Sequence, residues 1–270
     1  MAAIGTVELR SRTGWRDWAS SPWVLRLVSI AVLLTLWEFF GRQRSIYMSY
    51  PSAIWNAFVD LAFVERRMQE YFGITLHGLG VGYAIAAVLG VVTGFAMGRI
   101  RLVKLILDPY VNALYATPRI TLVPLLVLWV GIDFQLRVVI VVLSAVFPII
   151  INTYAGAHHV DKDLLDTGRV FMASRTRMLR TIIIPASLPF VFAGLRIGAL
   201  RALTGAIVAE MTAAITGTGA VIFAFSRAFQ TDRLFATLIV LGFLGISLSK
   251  VVQVAQNLTM PWARARDASS

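Results

Sequence analysis

DKDLLDTGRVFMASRTRMLRTIIIPASLP, residues 161–189, is a charged island in an otherwise apolar chain, and its reading organises everything on either side. It carries Lys162, Arg169, Arg175, Arg177 and Arg180 together with Asp161, Asp163 and Asp166. Leu164, Leu165, Val170, Phe171 and Leu179 recur at helical spacing, so the segment reads as an amphipathic helix. Long apolar runs precede and follow it. A charged helix held between two membrane spans is a handle offered to a partner on the aqueous side.

Composition supports a membrane setting. The 270 residues are 58% hydrophobic and only 14% charged, with a mean hydropathy of +0.75, whereas a soluble domain carries about a quarter charged residues. The formal charge is +11. Because the basic residues lie between the apolar runs, topology accounts for that charge better than nucleic acid does. With no cysteine and three dispersed or adjacent histidines (His77, His158, His159), the chain offers neither a disulfide framework nor a thiolate or HExxH metal site.

A bilayer core takes about 20 apolar residues per helix. The sequence predicts six spans: Val24–Phe40, Ile74–Met97, Leu105–Val130, Leu136–Thr153, Leu188–Met211 and Leu234–Val254. Pro109, Pro118, Arg119 and Pro124 interrupt the third, so its helix is expected to break there. The first run has basic residues before it, as a secretory signal would, but FFGRQRSIYM after it offers no small-residue cleavage site, and a retained helix is expected. YPSAIWNAF opens a segment, Tyr50–Tyr71, expected to lie as an amphipathic helix at the outer interface, with Pro51 and Ser52 at its start. Arg10, Arg12, Arg16, Arg26, Arg99, Arg101, Lys104, Arg264, Arg266 and the island's five cations fall on one side. Fewer fall on the other: Arg42, Arg44, Arg66, Arg67, Arg137, Arg227 and Arg233. The positive-inside rule places both termini and the island in the cytoplasm. The expected organisation is an all-α integral membrane protein. Residues 1–23 form a cytoplasmic segment, 24–258 one transmembrane domain with its loop at about 161–187, and 259–270 a cytoplasmic tail.

Several residues within the spans invite a role. Glu210, in AIVAEMTAAITGTG, reads either as a pathway or gating acid or as a helix-end carboxylate bonded to backbone N–H groups of the GTG turn. Arg119, in ATPRITLVP, reads either as an anion contact or as half of a structural ion pair. Arg201 and Arg196 sit on the fifth span, where they either line a vestibule or snorkel. Gly78/Gly82 and Gly90/Gly94/Gly98 make a small-residue stripe suited to close helix packing.

The island also has a familial reading. LLDTGRVFMASRTRMLRTIIIP resembles the signature loop of permease subunits of binding-protein-dependent ABC importers, whose pattern is an acid and two small residues, a Gly four residues on, and a closing I-x-L-P. Asp166, Thr167 and Gly168 occupy the first positions, Ala173 and Ser174 follow, and Ile182–Pro185 closes the motif. Met172 stands where the family has Gly, and Gly168 where it usually has Ala. The likeness extends over about Tyr50–Trp262 through YPSAIWNAF, LDPYVNALYATPRITLVPLLVLWVGI, FPIIINTYAGAHHVDKDLL, GLRIGALRALTGAIVAEM and TDRLFATLIVL. These are similar to the branch serving nitrate, taurine and aliphatic sulfonates.

The resemblance implies a non-catalytic subunit of a bacterial inner-membrane importer, with no cofactor of its own and no GxxxxGK[ST] phosphate loop. It implies a second copy of the chain, two ABC ATPase subunits, an extracytoplasmic binding protein and surrounding lipid as partners. The docking loop would comprise Leu165, Asp166, Gly168, Arg169, Phe171, Met172, Ala173, Ser174 and Arg175. Leu165, Phe171 and Met172 would fill a groove on the ATPase, and Arg169, Arg175 and Arg177 would meet carboxylates at its rim. Without the resemblance, a basic helix resting on anionic headgroups is the competing reading. The competing function is a gradient-driven secondary transporter, which needs buried acids or unwound helices to couple ions.

Overall fold

The computed structural model describes residues 22–43, 48–213 and 216–261, and every regular element among them is helical. α1 is Pro22–Gln43. α2, Pro51–Val59, continues into a π-helical turn, Asp60–Val64, and Pro51 takes the first-turn position where its missing N–H costs nothing. α3 is Arg67–Arg99, α4 Arg101–Ala116, α5 Val123–Val130 and α6 Phe134–His158. α7, Lys162–Val170, and α8, Arg175–Met178, form the island, and a π-helical turn, Leu179–Ile183, joins α8 to α9, Ile184–Thr212. α10, Thr218–Arg227, and α11, Thr231–Thr259, complete the described fold.

Among the described residues, five helices are long and apolar enough to cross a membrane. A sixth crossing is available if α4 and the segment Arg119–Val130, which meet at 94°, count as one broken span. The break falls at Pro118 and not at Pro109, which α4 carries in its interior without ending. Thr117 and Pro118 are extended, a 3₁₀ turn covers Arg119–Leu122, and Pro124 sits in the first turn of α5. Arg119 Nε donates to the backbone oxygen of Leu143 at 3.1 Å, tying the broken segment to α6.

α6 is the core. It is sandwiched between α3 and α9, and Val141, Ala145, Ile149 and Ile150 pack into the principal apolar cluster with Leu79, Ala86, Ala202 and Ala206. The glycine stripe on α3 lies against it: a Cβ on Gly82 would come 2.6 Å from Val141 Cγ1, and one on Gly94 2.6 Å from Thr153 Cβ. Gly194 and Gly198 on α9 meet the opposite face of α6 the same way. The stripe therefore serves packing, as small residues do where no water drives helices together. α1 stands apart, with 6% of its apolar window buried against 61% for α6.

Several features depart from expectation. The segment Tyr50–Tyr71 is not one helix, since Arg66 turns left-handed and the residues from Arg67 begin α3. Arg137, counted above with the outer loop, is 2% exposed and lies in the first turn of α6. The stretch after Glu210 continues into the short helix α10 instead of forming only a turn. The basic residues of the N-terminal segment, Arg44, and the tail from residue 262 lie outside the described residues.

Candidate functional site

The island forms a projecting helix–turn–helix. Asp161 caps α7 by accepting from Asp163 N–H at 2.9 Å, and Ser174 caps α8 by accepting from Arg177 N–H at 3.3 Å. Between them the chain turns through Met172, whose φ of 51° is left-handed. Ala173 N–H donates to Gly168 O at 3.0 Å and Met172 N–H to Arg169 O at 2.9 Å. This is the helix-ending motif in which glycine is the usual residue at the left-handed position. Met172, which stands where the resemblance expects Gly, thus occupies a left-handed position at which an L side chain is strained. Gly168 is buried, and a Cβ there would come 2.7 Å from Ile182 Cδ1, so the glycine lets α7 rest on the turn leading into α9.

At the tip, Val170, Phe171 and Met172 are 80%, 79% and 93% exposed, and Leu164 is exposed beside them. Leu165 and Ala173 are half-buried, so Leu164, not Leu165, belongs to the outward face. Arg169 pairs with Asp166 at 2.7 Å, both exposed. Ser174 and Arg175 are exposed, and neither Arg175 nor Arg177 meets a carboxylate among the described residues.

Inside the bundle, Arg119 and Arg201 line one cavity of about 140 Å³ with Ile120, Ile140, Ser144, Thr204, Gly205 and Val208. The two arginines, 82 positions apart in sequence, are thus brought together by the break after α4 and the middle of α9. Arg196 does not join them, and instead donates to Gln256 Oε1 on α11 at 2.9 Å.

Glu210 is fully buried and stands outside that cavity. Arg137 Nε lies 2.8 Å from its Oε1, and Gly219 N–H donates to its Oε2 at 2.8 Å. Thr75 Oγ1 lies 3.0 Å from both carboxylate oxygens and accepts from Thr218 N–H at 2.9 Å. Arg137 also donates to the backbone oxygen of Thr216. One carboxylate so joins α3, α6, α9 and the start of α10. The bond to the GTG turn is the one foreseen. The partners Arg137 and Thr75 were not, since nothing local in the sequence points to residues so distant. The only available signal was that a buried carboxylate needs a cation.

Residues 86–264 match the model of the binding-protein-dependent transport system inner membrane component. The chain belongs to that family. It is 27% identical to the nitrate import permease protein NrtB of Synechocystis sp., over 89% of this chain and 91% of the relative. It is 26% identical to the taurine transport system permease protein TauC of Escherichia coli, over 97% and 98%. A solved structure described as an amino acid ABC transporter with histidines superposes with a TM-score of 0.58 at 16% identity, over 76% of this chain and 97% of that one. The chain is therefore a multi-pass inner-membrane permease component of an ABC importer, and the island is the segment resembling the family's signature loop.

Proposed function

We propose that two copies of this chain form the membrane path of an ATP-driven importer for a small anion of the nitrate, taurine or sulfonate kind. In this reading both termini and the α7–α8 island face the cytoplasm, two ABC ATPase subunits dock on the island, and an extracytoplasmic binding protein delivers cargo from the other side. The relatives NrtB and TauC carry nitrate and taurine in their names, which supports the cargo class.

The observation that carries the proposal is the island's tip. Phe171 and Met172 stand out almost fully exposed, flanked by unneutralised Arg175 and Arg177, on a helix braced against the base of α9. Burying either apolar side chain in a partner's groove would contribute about 1.5–3 kcal/mol. A movement of that groove would pass through α8 and the π-helical turn into the 38-residue helical run Arg175–Thr212. A gradient-driven transporter would need a titratable acid free to change partners, whereas Glu210 is tied to an arginine, a threonine and a backbone N–H.

The test is the double variant Phe171→Glu with Arg175→Glu. It leaves the half-buried Leu165 in place, so the fold of α7 is spared. The permease should insert normally, retain at least tenfold less ATPase on purification, and lose ATP-dependent uptake. Wild-type retention and uptake would remove the island from the coupling path.

A further inference from the structure

The cavity between Arg119 and Arg201 contains two guanidiniums and no neutralising acid. Among the described residues neither arginine forms an ion pair, and Arg201 has no hydrogen-bond partner. Arg119 is held in place by Leu143 O through Nε, with the Tyr115 ring 5.7 Å from its Cζ. Its Nη2 is buried without a partner. Contrast Arg137, whose burial in the same bundle is matched by Glu210 at 2.8 Å. A cation in a membrane span is costly unless something pairs with it, and here the fold supplies none.

Depth excludes the simplest occupant. Arg201 is eleven residues from the end of α9 and Ser144 ten from the start of α6. At 1.5 Å per residue both lie about 15 Å below the span ends, the middle of a core about 30 Å thick. Lipid phosphates lie at the interface, out of reach. Ser144 adds a hydroxyl, and Gly205 leaves the room it occupies, since a Cβ there would collide with Ser144 Oγ.

We infer that the Arg119–Arg201 cavity is an oxyanion subsite of the permease, which receives the nitrate or sulfonate head of the cargo between two guanidiniums and the Ser144 hydroxyl during passage. Guanidinium forks match planar and tetrahedral oxyanions with two parallel N–H donors. The inference rests on the importer reading and adds that the permease itself, and not only its binding protein, reads the cargo's charge.

The experiment uses the permease–ATPase complex in nanodiscs of zwitterionic lipid, without binding protein. Binding of nitrate, methanesulfonate and taurine is followed by calorimetry at fixed ionic strength, with choline and urea as cationic and neutral controls. At least one oxyanion should bind and the controls should not. Arg119→Gln and Arg201→Gln should each weaken that binding at least tenfold. Arg119→Lys and Arg201→Lys, which keep the charge and guard against a folding defect, should recover part of it. Failure of all three oxyanions to bind, or equal binding by wild type and both glutamine variants, overturns the subsite. ATP-driven uptake in reconstituted vesicles separates the two readings. Uptake with wild-type KM in both variants sinks the subsite and spares the importer, whereas oxyanion binding without any ATP-driven uptake sinks the importer and spares the subsite.

Discussion

Glu210 shows what a single residue can decide in this molecule. Its carboxylate is the meeting point of Arg137, Thr75 and Gly219, so its removal leaves a guanidinium buried at 2% exposure with no counter-charge. Breaking a buried pair from one side costs about 3–5 kcal/mol, whereas replacing both partners with apolar residues is often neutral. Glu210→Gln alone should therefore lower the thermal unfolding midpoint of the purified permease markedly, and Glu210→Met with Arg137→Met should recover most of the loss. A single variant as stable as wild type, or a double variant worse than the single, would contradict a structural role. The sequence made half of this legible. A carboxylate nine positions before the second glycine of GTG sits within reach of a turn, so the local bond could be read. The Thr75 contact spans 135 positions, and only the packing of α3 on α9 produces it. Arg137 looked like a loop residue because it closely follows the Gly131–Asp133 break, although its side chain points back into the bundle.

At the scale of elements, hydropathy located the spans and Pro118 located the break, because both signals are local, whereas Pro109 is absorbed inside α4. The glycine stripe on α3 was equally legible, its four-residue period matching the face that α6 covers. What local pattern could not give was the 94° angle at Pro118, the short helix α10, or the outward face of α7, where Leu164 is exposed and Leu165 half-buried. The turn between α7 and α8 offers a test of its own. Met172 holds a left-handed φ of 51° that costs an ordinary residue about 1–2 kcal/mol and a β-branched one more. Met172→Gly and Met172→Asn should preserve ATP-coupled uptake, whereas Met172→Val should reduce it severalfold and raise hydrogen exchange at the Ala173 amide. If the valine variant couples normally while glycine does not, the Met172 side chain matters through contact and not through the turn.

For the whole molecule, the arrangement is a closely packed three-helix core, α3–α6–α9, with the island at one end of α9 and the Glu210 network near the other. The Arg119–Arg201 cavity lies on the same helix between them. In the proposed importer a push on the island would reach both through this one helix. α1 buries little of its apolar surface against the rest of the chain, as a lipid-facing span does. In the proposed function, transport through this chain is driven by ATP hydrolysed elsewhere and delivered through the island. The direct measurement is uptake of radiolabelled taurine or nitrate into vesicles holding the permease, its ATPase and its binding protein, with and without ATP and with an imposed proton or sodium gradient. Uptake should require ATP and both partners and be unaffected by collapsing the gradient. Uptake by the permease alone, driven by the gradient in the absence of ATP, would contradict it.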